Sequence, residues 1–192
     1  QDGVQSPSIR TMTSEYRHIP VLLDECIDQL RLGPDKVFVD ATLGFAGHSY
    51  QAAMQLGPSG LLIGIDQDDE AIAYATEKLA SIPDGERPQV EVMHGNFGEL
   101  DELLLAAEIP GIDAILFDLG MSSVQIDTPE RGFAFKADAP LDMRMDPGKQ
   151  TLTAAEIINT YTAADLTRII RTYSDEKWAS RIADFAVRAR QT

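Results

Sequence analysis

The sequence predicts an α/β protein built on an open, doubly wound parallel sheet. Three observations carry that prediction. Four short apolar runs recur ahead of Asp118, helical periodicities fill the gaps between them, and the runs stop at turns rich in Gly, Asp or Asn. Such turns lie at the carboxyl ends of strands, where open α/β sheets bind ligands.

The runs cover residues 37–41, 61–65, 90–93 and 114–117, each short and largely apolar, as expected of strands buried on both faces. Ahead of them Leu22, Leu23, Cys26, Ile27 and Leu30 recur at helical spacing, so an opening helix is predicted over 21–32 with Pro20 suited to its first turn. Further helices are predicted at 48–56, closed by Gly57, at 68–79, with Asp68, Asp69 and Glu70 in its first turn, and at 99–107. Past Asp118 a stretch punctuated by Gly and Pro runs to about residue 150, and helices follow at 154–159, 163–173 and 175–190. Thr153 with Glu156, and Thr162 with Asp165, are spaced as capping boxes for the first two of these. No further strand is expected.

Composition bounds the function. With 192 residues and 44% apolar content the chain can bury one real core with a small appendage. A single cysteine, Cys26, rules out an internal disulfide and fits a reducing compartment, so a cytoplasmic location is expected. Residues 1–15 are polar and are predicted to form a disordered tail without a signal sequence, and Met12 is a candidate natural start. The net charge of −15 argues against a phosphate-rich partner until its distribution is considered. Residues 1–130 hold 6 basic and 23 acidic side chains, whereas residues 131–192 hold 10 basic and 8 acidic ones.

The turn after the first run reads Asp40-Ala41-Thr42-Leu43-Gly44-Phe45-Ala46-Gly47-His48 and ends where a helix begins. Small residues there let backbone approach a ligand, and the helix start offers unpaired N–H groups. Its spacing is not that of the dinucleotide G-x-G-x-x-G turn, which weighs against a nicotinamide oxidoreductase. Asp66 ends the second run, about twenty residues past the glycine turn, where a carboxylate can accept both hydroxyls of a ribose; the alternative is a helix cap, a role that suits Asp68 better. Phe97 follows the third run and could cover a flat ring or simply join the core. Asp118 to Ser123 follow the fourth. His18, His48 and His94 lie far apart with no Cys or second His at ligand spacing, so no metal site is expected.

Several stretches together carry a family resemblance: His18-Ile19-Pro20-Val21-Leu22, the 40–48 turn, Gly64-Ile65-Asp66, residues 118–127, Glu130-Arg131-Gly132-Phe133, and Pro140-Leu141-Asp142-Met143-Arg144-Met145-Asp146. The chain resembles, over residues 16–190, the bacterial 16S ribosomal RNA cytosine N4-methyltransferases. The resemblance implies a Rossmann-like methyltransferase core over 16–130, with four N-terminal strands present and the remainder missing, and a truncated helical substrate-recognition insertion over 131–192. It implies S-adenosylmethionine as cofactor, contacted by Ala46, Gly47, His48, Asp66, Phe97, Asp118 and Gln125. It also implies transfer of a methyl group to the exocyclic N4 amine of a cytidine in small-subunit ribosomal RNA, free or assembled.

Two departures from the family stand out, Ala46 for its usual glycine and Val124 for its usual proline; Ala46 can serve through its backbone N–H if its φ is negative. An acceptor for the amine protons is expected in the segment Asp118, Leu119, Gly120, Ser122 and Ser123, through the Asp118 carboxylate, the Leu119 and Gly120 carbonyls, or the Ser122 and Ser123 hydroxyls. His18, Arg131 and Arg144 are candidate RNA contacts, although both arginines could instead pair with Asp142 or Asp146 to hold their own loop. A homodimer is compatible with the sequence. A non-catalytic RNA-binding or ribosome-assembly module on the same fold is the competing reading.

Overall fold

The alternation of short apolar runs with helices gives a four-stranded, all-parallel sheet in the order β3-β2-β1-β4, formed by β1 (Val37–Asp40), β2 (Leu61–Asp66), β3 (Gln89–His94) and β4 (Ala114–Leu116). The computed structural model describes residues 20–136 and 138–190, apart from the Ser123 side chain. The predicted tail and His18 lie outside the described residues.

Period-two alternation divides the core between the sheet's two faces. Phe38 and Leu62 point to one face and pack with Ala52, Ala53 and Leu56 of α2 (Gly47–Leu56), Leu79 of α3 (Asp69–Ala80) and Ile27 of α1 (Leu23–Leu30). Val39, Ile63 and Ile65 point the other way, against Leu100, Leu103 and Leu104 of α4 (Leu100–Ala106). Each fully buried Leu, Ile or Phe contributes about 2 kcal/mol through the area it removes from water.

Connections from β1 through α2 to β2 and through α3 to β3 run outward in one direction, and the next returns past β1 to place β4 on its other side. The strand order therefore reverses between β1 and β4, and a crevice opens outside their carboxyl ends.

The predicted helices 21–32 and 175–190 are shorter than their periodicity suggested. Leu22 and Arg31 bound α1 in the left-handed region, at φ 54° and 49°. Ahead of α8 (Ala179–Ala189), Glu176 accepts from Trp178 N at 2.7 Å and Ser174 Oγ accepts from Glu176 N at 3.3 Å, local bonds that replace a first helical turn. Helices α6 (Ala154–Thr160) and α7 (Ala163–Tyr173) start at Thr153 and Thr162 as predicted, the first with a reciprocal capping box. An unpredicted short helix, α5 (Ser123–Asp127), begins with a capping box between Ser122 and Gln125. No strand follows β4 among the described residues.

Candidate active site

A cleft of about 610 Å³ lies over the crevice between β1 and β4, within the size range of small-molecule sites. Its floor is the 41–47 turn. Leu43 N donates to Ile65 O at 2.9 Å, and Gly44 N to Asp66 Oδ2 at 2.7 Å, which fold the turn over the tip of β2. Gly47 opens α2 beneath Pro20, so close that a Cβ there would collide with the proline ring. No side chain caps α2, which leaves its N-terminal amides and positive dipole end facing the cleft.

Ala46 does not meet the condition set for it. Its φ is 51°, it is buried, and its N–H donates to Leu43 O at 2.9 Å. The N–H thus closes the turn, and Ala46 supplies the cleft with backbone shape rather than a free donor.

Two acidic residues, Asp66 at the end of β2 and Asp118 after β4, line the cleft, whereas Asp40 at the end of β1 does not. Asp40 is buried, accepts from Ser49 Oγ at 2.6 Å and Thr42 N at 3.2 Å, and has its carboxyl pushed upward by burial despite these bonds. Asp66 accepts from Gly44 N and, at 3.0 Å, from Asp68 N, one bond on each carboxylate oxygen. By lone-pair count, each oxygen retains capacity for a second donor. Asp68, as its spacing suggested, caps α3 by accepting from Glu70 N at 3.1 Å. Asp118 N donates to Thr42 Oγ1 at 2.7 Å, while its carboxylate, 57% exposed, stands 3.7 Å from His48 Nδ1. The His48 side chain is 7% exposed, and its Nε2 has no hydrogen-bond partner. A buried ring nitrogen without a partner is costly.

Phe97, after β3, and Phe117, after β4, meet edge to face at 5.9 Å, and Phe97 lines the cleft. On the opposite wall Phe45 packs edge to face with Tyr74 at 5.1 Å. Lys78 Nζ donates to Phe45 O at 3.1 Å, and burial lowers the affinity of its amine for a proton. Sequence reasoning missed Tyr74 and Lys78, although Ala71, Tyr74 and Lys78 share one helical face at spacings of three and four.

Of the segment after β4, Asp118, Leu119, Gly120, Met121, Ser122 and Gln125 line the cleft. Ser122 Oγ accepts from Gln125 N at 3.1 Å, and Gln125 Oε1 accepts from Ser122 N at 3.1 Å. Gln125 Nε2 donates to Asp68 Oδ2 at 3.0 Å.

The two signature arginines bond to the protein itself, Arg131 in a sheltered position and Arg144 within its own loop. Arg131 donates to Asp68 Oδ2 at 2.8 Å, to Met145 O at 3.0 Å and to Arg144 O at 3.2 Å. Arg144 grips Asp142 with two bonds, at 2.9 and 2.6 Å, and also donates to Gln150 O at 2.8 Å; its own bond is what chiefly holds the Asp142 carboxyl below the ordinary aspartate range. The Arg144–Asp142 pair was foreseen as an alternative to RNA contact. The Arg131–Asp68 pair was not, because its partner lies 63 residues away.

The donor set suits a ligand with an aromatic ring, a sugar diol and an anionic end. Phe97 offers an apolar face, Asp66 accepts hydroxyls, and the uncapped α2 terminus favours negative charge. Among the described residues no group of His, Cys, Asp and Glu could hold a metal ion.

Sequence comparison places the chain among known proteins. Over 178 residues the chain is 48% identical to ribosomal RNA small subunit methyltransferase H 2 of Agathobacter rectalis, covering 92% of this chain and 55% of that protein. Ribosomal RNA small subunit methyltransferase H of Geotalea daltonii is 48% identical over 178 residues, covering 93% of this chain and 55% of that one, and its counterpart in Clostridioides difficile is 45% identical over 176 residues, covering 92% and 55%. The chain thus spans about half the length of the curated relatives it matches. The model of the MraW methylase family matches residues 15–192, and the chain belongs to that family.

Proposed function

We propose that this chain forms the donor-binding part of an S-adenosylmethionine-dependent methyltransferase acting on the exocyclic N4 amine of a cytidine in 16S ribosomal RNA. The observation that carries the reading is the cleft at the sheet's switch point, where Asp66, Asp118 and the uncapped start of α2 surround one space. Relatives named as small-subunit ribosomal RNA methyltransferases support the substrate class.

In this reading Asp66 takes the ribose hydroxyls, Phe97 covers the adenine, and Gly47 and His48 at the α2 start hold the amino-acid end. Bound there, the sulfonium supplies an electrophilic methyl whose C–S bond breaks as the C–N bond forms, leaving a neutral thioether and one proton to be removed from the amine. Cytosine's amine lone pair is delocalised into its ring, so an acceptor for its N–H protons helps the nitrogen become tetrahedral.

Asp118 is the carboxylate placed for this, with its backbone fixed by Thr42 and its side chain open to the cleft. The Leu119 and Gly120 carbonyls and the Ser122 hydroxyl, which keeps a lone pair beyond the bond it accepts from Gln125 N, are the further candidates. Proximity and alignment supply most of the rate, because the reaction needs nitrogen, carbon and sulfur in line. The target base must leave its stack to enter. The less acidic 131–190 segment is the RNA-facing part, with Arg131 and Arg144 acting through the loop they hold.

Labelled methyl transfer from S-adenosylmethionine to isolated small ribosomal subunits, followed by nucleoside analysis, tests this reading. N4-methylcytidine is expected, and Asp118→Ala should lower its rate by at least about 100-fold. Label in another nucleoside would overturn the target assignment.

A further inference from the structure

Asp68 sits where two separate pieces of the cleft wall meet. Its Oδ1 caps α3, and its Oδ2 accepts from both Gln125 Nε2 and Arg131 Nη1. Gln125 lies in α5 and lines the cleft. Arg131 carries the connection onward to the carbonyls of Arg144 and Met145, and Met145 lines the cleft as well. One carboxylate oxygen therefore holds α5 and the 142–146 turn at once. The pair is sheltered, with side chains 9% and 14% exposed, so water cannot readily replace either bond.

We propose that Asp68 and Arg131 are positioning residues that keep α5 and the 142–146 turn in one register, so that these two pieces of the cleft wall order together. The donor assignment of the cleft, on which the role in catalysis rests, is tested separately by calorimetry. The coupling itself needs no ligand to be seen.

Hydrogen exchange on the free chain reads it. In wild type the amides of Ile126, Thr128, Met143 and Gln150 donate to backbone carbonyls and should therefore be protected. Asp68→Asn should speed exchange at both 126–128 and 143–150 while leaving the amides of β1 and β2 unchanged. Arg131→Lys keeps a charge facing Asp68 but lacks the guanidinium fork that reaches Asp68 and the two carbonyls together, so it should keep protection at 126–128 and lose it at 143–150. Added S-adenosylmethionine should protect both segments in wild type and only the first in Arg131→Lys, with affinity about tenfold weaker in Asp68→Asn, the size of one lost charge-assisted hydrogen bond.

Faster exchange confined to one segment in Asp68→Asn would overturn the coupling. Equal loss of protection throughout the sheet would also overturn it, because Asp68 would then be a general stabiliser. Failure of wild type to bind S-adenosylmethionine would defeat the proposed function, and the free-chain pattern would still decide the coupling.

Discussion

The sheet and the 128–152 segment keep their shapes by different means. The sheet half is built on volume: Phe38, Val39, Leu62, Ile63 and Ile65 are fully excluded from solvent, with helices packed on both faces. Among the described residues of 128–152 only Asp146 is buried, and it is a carboxylate that accepts from Gly148 N and Lys149 N and lies 3.2 Å from His94 Nε2. That segment is built on directed bonds from Arg131, Arg144, Asp142 and Asp146. The sheet should therefore be sensitive to lost volume, and the loop to lost geometry.

Five substitutions or conditions sharpen the contrast. Phe38→Ala should cost about 4 kcal/mol in urea unfolding, because the cavity lies between sheet and helices and cannot collapse. A cost no larger than that of a surface substitution would mean the sheet is not packed as described. Gly132→Ala should cost about 2–3 kcal/mol. Gly132 has φ 75°, and a Cβ there would stand 2.6 Å from Pro140 O and 2.7 Å from Asp142 N, backbone atoms that cannot swing aside. Its damage should stay local, seen as faster exchange across 140–150 with the sheet amides unchanged.

Acid should separate the halves with opposite signs. Burial alone would raise the Asp68 carboxyl, but the bonds from Gln125 and Arg131 outweigh it and hold it below the ordinary 3.8. Its stabilising contribution is therefore complete above that value and is lost as pH falls through the lower folded-state pKa. Asp40 is raised above 3.8 by burial, so the contribution of its proton is present below 3.8 and is lost as pH rises through the raised value. Exchange at 143–150 should rise on acidification before the sheet opens. Asp40→Asn should gain stability relative to wild type as pH increases, in urea titrations at a series of pH values.

Ala46→Gly should change stability least, by under about 1 kcal/mol. The relief of a left-handed alanine and the loss of a buried methyl are of similar size.

The same division explains what the sequence disclosed. Strands announce themselves through runs such as 61–65, and their tips through the residues that follow, so the sequence alone puts Asp66 and Asp118 at the carboxyl ends of strands. Local signals reach only a few residues. Ser122 and Gln125 carried a legible capping-box spacing for α5 that the Gly- and Pro-rich surroundings masked. The meeting of Asp68 with Gln125 and Arg131 joins positions 57 and 63 residues apart, and no periodicity encodes it. The positive φ of Ala46 was likewise invisible, because alanine carries no mark of the left-handed region.

Calorimetric titration of S-adenosylmethionine into wild type and Asp66→Ala, with NAD as the competing ligand, tests the central claim most directly. The account predicts that wild type binds S-adenosylmethionine and not NAD, and that Asp66→Ala binds at least about tenfold more weakly while remaining folded. Equal binding by both proteins, or binding of NAD alone, would contradict the assignment of this cleft to a methyl donor.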